Sequence, residues 1–174
     1  VTDMSDARGA ADSAGRDFSE GGSVREEQAL ALFFQGYNCA QSVAAVFSDV
    51  IGIPRETLLR VFPGFGAGMG DHKGTCGTVS AMILVAGAVM GGYPPEDLAS
   101  KRALYAEVNA LKAAFTRQFG SISCLELLKK AAVLPKPEAS ERTAAYYAKR
   151  PCAHFVAGAV RILEAWLKAR QQQS

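Results

Sequence analysis

The stretch 94–120, PPEDLASKRALYAEVNALKAAFTRQFG, decides the fold. Within it Leu104, Val108, Leu111, Phe115 and Phe119 recur at steps of three and four, the period that lines side chains along one face of an α-helix. Pro94-Pro95-Glu96-Asp97 opens this helix and Gly120 stops it. Downstream, Ser123 and Glu126 make a capping box around Cys124, predicting a helix to about residue 133. Pro135 and Pro137 break the chain, and 138–149 is a modest helix carrying Tyr146 and Tyr147. A last helix starts at Pro151-Cys152, buries Phe155, Val156, Ala159, Ile162, Leu163, Trp166 and Leu167, and frays into a Gln-rich end.

Upstream the pattern is the same. Ser23 with Glu26 is a capping box, and Leu30, Phe33 and Phe34 give 24–35 one apolar face before Gly36. Asn38 caps the next helix with Gln41 in the reciprocal position. Val43, Val46, Phe47, Val50 and Ile51 run along it to Gly52. Pro54 starts a short helix through Leu58, Leu59 and Val61 that Pro63 closes. Residues 64–74 hold Gly64, Gly66, Gly68, Gly70 and Gly74, and lead through Thr75-Cys76-Gly77 into an apolar core helix, 79–90. Ser80, Ala81, Ala86, Gly87 and Ala88 thin that helix so that neighbours can approach. No segment alternates apolar and polar residues, and no repeat is present. The expectation is an all-α, single-domain bundle of about six to eight helices over 23–174, preceded by a disordered tail, 1–22, rich in Gly, Ala, Ser and Asp.

Composition narrows the function classes. A chain of 174 residues, 49% hydrophobic and 21% charged, buries one core. Its net charge is only +2, and Lys129-Lys130 and Lys149-Arg150 are isolated basic pairs, so nucleic-acid binding has no support. The apolar run 79–90 falls short of the roughly 20 residues of a membrane span. Four cysteines are too few for a disulfide scaffold, and the N-terminal residues lack the sections of a signal peptide, so a reducing cytoplasm is expected.

Each cysteine falls where a helix is predicted to begin: Cys39 after Asn38, Cys76 after Thr75, Cys124 after Ser123 and Cys152 after Pro151. Free amides and the positive dipole end there stabilise a thiolate, favouring metal binding or redox reactivity. No C-x-x-C pairs them, so a shared site has to be assembled by the fold from four helices. A four-thiolate [2Fe–2S] cluster and a four-thiolate zinc both carry about two negative charges, and charge alone does not choose between them. Four cysteines also fill space in helical cores without any further role.

A succession of blocks extends this reading: Gly36-Tyr37-Asn38-Cys39-Ala40-Gln41-Ser42-Val43, then Gly64-Phe65-Gly66-Ala67-Gly68-Met69-Gly70, then Cys76-Gly77, then Phe119-Gly120-Ser121 with Cys124-Leu125-Glu126-Leu127-Leu128, then Cys152. In this order they resemble the redox-active family named for its C, GCAxxG, C, C cysteine pattern. That family is related to the iron–sulfur portion of split-Soret cytochrome c, and the resemblance implies a cluster held by Cys39, Cys76, Cys124 and Cys152. Where the family's CGAxxG block has Ala and a final Gly, this chain has Thr78 and Ala81, so a hydroxyl can stand near the site. No C-x-x-C-H motif is present and covalent haem is not implied.

The glycines contain no G-x-G-x-x-G and follow a helix, which excludes a dinucleotide loop. Gly66, Gly68, Gly70 and Gly77 are the candidate cofactor-binding positions; the glycines of 64–70 turn the backbone at positive φ close to the Cys76 helix and offer amides to a cluster sulfur, with a plain flexible loop as their alternative. His154 lies two positions past Cys152 and points elsewhere on a helix; His72 with Asp71 is a ligand, a proton donor or a solvated loop residue. Tyr146, Tyr147 and Trp166 suit core or subunit contacts. The leading expectation is a small redox protein with an iron–sulfur cluster, [2Fe–2S] ahead of zinc, serving electron transfer or redox sensing. A redox protein or small-molecule electron carrier is its partner, and a homodimer is compatible. A metal-free thiol oxidoreductase attacking through Cys76 or Cys124, and a non-catalytic helical module with structural or zinc-binding cysteines, are the alternatives.

Overall fold

The computed structural model describes residues 21–172 apart from 135 and 137. The expected tail up to residue 20 and the two prolines therefore lie outside the described residues. Ten α-helical segments follow in order: α1 Val24–Phe34, α2 Cys39–Ala45, α3 Ser48–Ile51, α4 Arg55–Val61, α5 Gly66–Met69, α6 Gly77–Met90, α7 Leu98–Phe119, α8 Cys124–Lys130, α9 Ala144–Lys149 and α10 Cys152–Gln171. Three of these, α3, α5 and α9, are turns of four to six residues, and the rest fall within the expected number. The described residues hold no strand, only one antiparallel bridge between Thr75 and Ser123. The fold is all-α.

Helix α2 packs chiefly on α6, while α10 lies against α1, α2, α6 and α7. The centre of the core is Val43, Phe47, Val79, Met82, Phe115, Val156 and Leu163. The stripe on α7 buries Leu111 and Phe115 fully and Leu104, Val108 and Phe119 in part. Gly158 lets the tip of the Phe119 ring come close to α10, since a Cβ there would meet it.

Several boundaries differ from the sequence reading. The predicted helix through Val50 breaks at Phe47, whose φ of −109° and ψ of 20° leave the helical region, giving α2 and α3. α7 begins after Asp97, which caps it by accepting from Ser100 N–H. α9 starts at Ala144, six residues later than expected. The buried residues of α6 all lie between Gly77 and Ala86, and Ile83 and Val89 face solvent. The Ser23 cap holds, yet Glu26 does not reach back to it; its buried carboxylate pairs instead with Arg161 on α10. That pair ties the N-terminal helix to the C-terminal one.

Candidate functional site

All four cysteines stand at helix starts. Cys39 opens α2, where the Asn38 side-chain oxygen accepts from Ala40 N–H and Gln41 N–H, each at 3.0 Å, and Gln41 Oε1 accepts from Asn38 N–H at 3.0 Å. The remaining amide of Asn38 donates to Pro63 O at 2.9 Å, fastening this cap to the glycine segment. Cys124 opens α8 behind Ser123, and Cys152 opens α10 behind Pro151. Two details depart from expectation. Cys76 is itself the capping residue of α6, because Thr75 is drawn into the bridge with Ser123. The reciprocal arm at Cys124 is also rerouted, as Glu126 takes the Ser121 hydroxyl and Ser121 Oγ accepts from Ser123 N–H at 3.0 Å.

That bridge unites two of the cysteines. Cys76 N–H donates to Ile122 O at 2.8 Å, Cys124 N–H to Gly74 O at 2.7 Å, and Leu125 N–H to Lys73 O at 3.0 Å. Backbone pairing thus fixes the separation of Cys76 from Cys124 independently of their side chains. The first amides of α8 are used on carbonyls, so they are not available to a sulfur.

The glycine segment wraps the other side. Gly68 and Gly70 take positive φ as expected, whereas Gly66, at −67°, does not; Ala67, Met69, Asp71 and Lys73 do, at 52°, 68°, 69° and 62°. Such values cost energy outside glycine, and this tight coil brings Ala67 N–H onto the Cys39 sulfur. The amide that reaches sulfur therefore belongs to the alanine between the glycines. Gly66 and Gly70 border the cavity described next, whereas Gly68 and Gly77 stand behind it. At Gly77 a Cβ would lie 2.8 Å from Cys39 Sγ and 2.9 Å from Phe65 O, so this position is bare for close approach.

Cys39, Cys76, Cys124 and Cys152 all border one cavity of about 390 Å³. Asn38, Gly66, Ala67, Asp71, Ser140, Arg142, Tyr146 and Arg150 complete much of its wall. Cys39 and Cys76 are neighbours on this wall, close enough for each to act on the other's proton, and Cys76 Sγ lies 3.1 Å from the Thr78 hydroxyl. Among the described residues no three of His, Cys, Asp and Glu are grouped to hold a single metal ion. His72 is exposed and outside the wall, as a solvated loop residue would be; His154 is half-buried and also outside it.

The sulfurs differ sharply in acidity. Cys39 is pulled down to about 6, first by the hydrogen bond from Cys76, then by Ala67 N–H, the Arg142 charge and Ala40 N–H, all against the opposing effect of burial. The same bond pushes Cys76 well above the ordinary thiol value, aided by burial and by the neighbouring negative sulfur. The two share one proton. Burial first, then the Cys39 charge, raises Cys124 to about 11 and Cys152 to about 12. The expected attacking thiolate at Cys76 or Cys124 is thus corrected: both are held protonated, and Cys39 is the acidic one.

Sequence reasoning passed over Arg142 and Arg150. With Tyr146 they recur every four residues, a helical-face signal present in the sequence but obscured by the late start of α9.

The family model "Putative redox-active protein (C_GCAxxG_C_C)" matches residues 37–166. The chain belongs to this family. The matched span contains all four cysteines and every wall residue named above. The family is redox-active by its description. No curated protein and no solved structure matches the chain. Among the described residues no helix is long and apolar enough to cross a membrane.

Proposed function

We propose that the four cysteines hold an iron–sulfur cluster, [2Fe–2S] in the first instance, and that the protein carries or senses single electrons exchanged with a redox protein or a small carrier. The observation that carries this reading is that four cysteines far apart in sequence border one cavity. The donor set fits: four thiols, an amide from Ala67 at the Cys39 sulfur, and a bare Gly77 beside it. A single zinc ion draws four thiolates to about 2.3 Å from one point, whereas each iron of a two-iron centre takes two. The pairing of Cys39 with Cys76 suits the second pattern.

When bound, the cluster would supply a one-electron couple. The chain's own residues would supply the rest. Cys39 is acidic enough to be deprotonated at neutral pH, giving the first thiolate without cost. Gly77 leaves the space beside the Cys39 sulfur free of a side chain, and the 67–73 coil folds next to it. The Thr78 hydroxyl is poised to stabilise Cys76 once its proton leaves.

The same contact favours a second reading. Cys39 as thiolate and Cys76 as thiol can lose two electrons and the one proton they share to form a disulfide, while an acceptor disulfide takes up the two electrons with that proton and one from solvent to become two thiols. Anaerobic purification followed by visible spectroscopy and analysis of iron, sulfide and zinc separates the two. Absorbance between about 400 and 500 nm with equal iron and sulfide supports the cluster. Metal-free protein with a reversible two-electron couple supports the dithiol.

A further inference from the structure

Arg142 precedes α9, and its guanidinium carbon lies 5.4 Å from the Phe33 ring centroid and 4.8 Å from that of Tyr146. Arg150 lies 4.6 Å from the Tyr146 centroid, and both arginines border the four-cysteine cavity. Ring contacts hold these cations in place without neutralising them. Arg150 has the Ser140 hydroxyl within 3.4 Å, but Arg142 Nη1 is closed to solvent and has no acceptor. A guanidinium keeps its proton in proteins, so a buried donor left in this state marks the place of a missing negative charge. The carboxylate on the cavity wall, Asp71, is engaged with Lys73. The sulfurs are the anions that remain.

We infer that Arg142, assisted by Arg150, is the charge-balancing residue of the four-cysteine site: its buried N–H donor meets the negative charge gathered there and raises the reduction potential of whatever the sulfurs hold. The Coulombic pull of Arg142 on Cys39 and Cys152, and of Arg150 on Cys124 and Cys152, acts in the same direction. A four-thiolate [2Fe–2S] centre goes from about two negative charges to three when one electron enters. A fixed cation favours the more negative state, so removing it disfavours reduction. The effect on potential rests on the cluster reading above; the balancing of sulfur charge does not.

The test compares the full chain, purified anaerobically, with Arg142→Met, which retains length and ring packing but neither charge nor donors, and with Arg142→Lys, which retains charge alone. Each is titrated with dithionite while the visible spectrum is followed. Arg142→Met is expected to keep the parent's iron content and to be about tenfold harder to reduce, a fall of about 59 mV for a one-electron couple. Arg142→Lys recovers more than half of that loss. An iron-loaded Arg142→Met with the parent's potential overturns the inference.

Parent protein that takes up no cluster contradicts the proposed function instead, and the rate of iodoacetamide labelling of Cys39 at pH 5, below its midpoint, then decides this inference. Labelling about tenfold slower in Arg142→Met upholds it, and equal rates overturn it. Should Arg142→Met fail to fold, Arg150→Met is compared by the same two readouts, where a smaller shift in the same direction upholds the inference and no shift overturns it.

Discussion

Gly77→Ala is the sharpest probe of how the site is packed. The added methyl would stand 2.8 Å from Cys39 Sγ, 2.9 Å from Phe65 O and 3.1 Å from Ala40 Cβ, all inside ordinary contact distance. One of these neighbours is a backbone carbonyl in the turn after Pro63, so the sulfur is the group free to move. Alanine is the better helix former by up to about 1 kcal/mol, while overfilling a tight site costs about 1–3 kcal/mol. The net expectation is a loss of about 1–2 kcal/mol, which lowers Tm by about 2–8 °C in a chain of this size.

The chemical consequence is more specific. Displacing the Cys39 sulfur breaks its contacts with Cys76 and Ala67 N–H, the influences that hold its pKa down. Thermal melting with circular dichroism, and iodoacetamide labelling of Cys39 against pH, measure the two effects. Equal Tm and an unmoved labelling profile would refute the packing of Cys39 on Gly77.

Three further outcomes follow from the same contacts. In metal-free protein, labelling of Cys39 rises with pH through a midpoint near about 6, since the thiolate is the attacking form, while Cys124 and Cys152, raised to about 11 and 12, stay slow at neutral pH; mass mapping at pH 7 that finds Cys124 modified first contradicts this. Asn38→Ala removes a cap accepting two amides and the tie to Pro63, so urea unfolding should show a loss of about 1–2 kcal/mol, and an unchanged midpoint would count against the cap. Arg161→Ala leaves the carboxylate of Glu26, 1% exposed, without its partner; because Arg161 is 56% exposed the expected loss is about 1–3 kcal/mol, and a change under about 0.5 kcal/mol would show that the pair does not join α1 to α10.

Much of the helix pattern was legible because its signals are local. The stripe from Leu104 to Phe119, the caps at Ser23, Asn38 and Ser123, and the stops at Gly52 and Gly120 are set by residues within a turn or two, and each is found. The failures lie where a distant partner wins. Glu26 reads as a capping-box residue until Arg161, far along the chain, claims it. Cys76 reads as a first-turn residue until Ser123 pairs with Thr75 and shifts the cap by one position.

The site was legible as four cysteines and a glycine segment, but not as an electrostatic arrangement. Which thiol is acidic depends on which sulfurs touch, and no spacing rule reports that. The helix-start argument treated the four as equivalent, whereas contact with Cys76 and the Ala67 amide single out Cys39. The arginine wall escaped notice because its rhythm of four straddles a coil and a short helix, and its partners are rings and sulfurs rather than carboxylates.

The central claim is that four dispersed cysteines act as one ligand set. Its most direct measurement is iron bound per chain in Cys39→Ala, Cys76→Ala, Cys124→Ala and Cys152→Ala, each purified anaerobically beside the parent protein. The account predicts that all four variants lose the iron and the visible absorbance that the parent carries. Iron retained in full by Cys124→Ala and Cys152→Ala would contradict it and leave Cys39 and Cys76 as a separate pair.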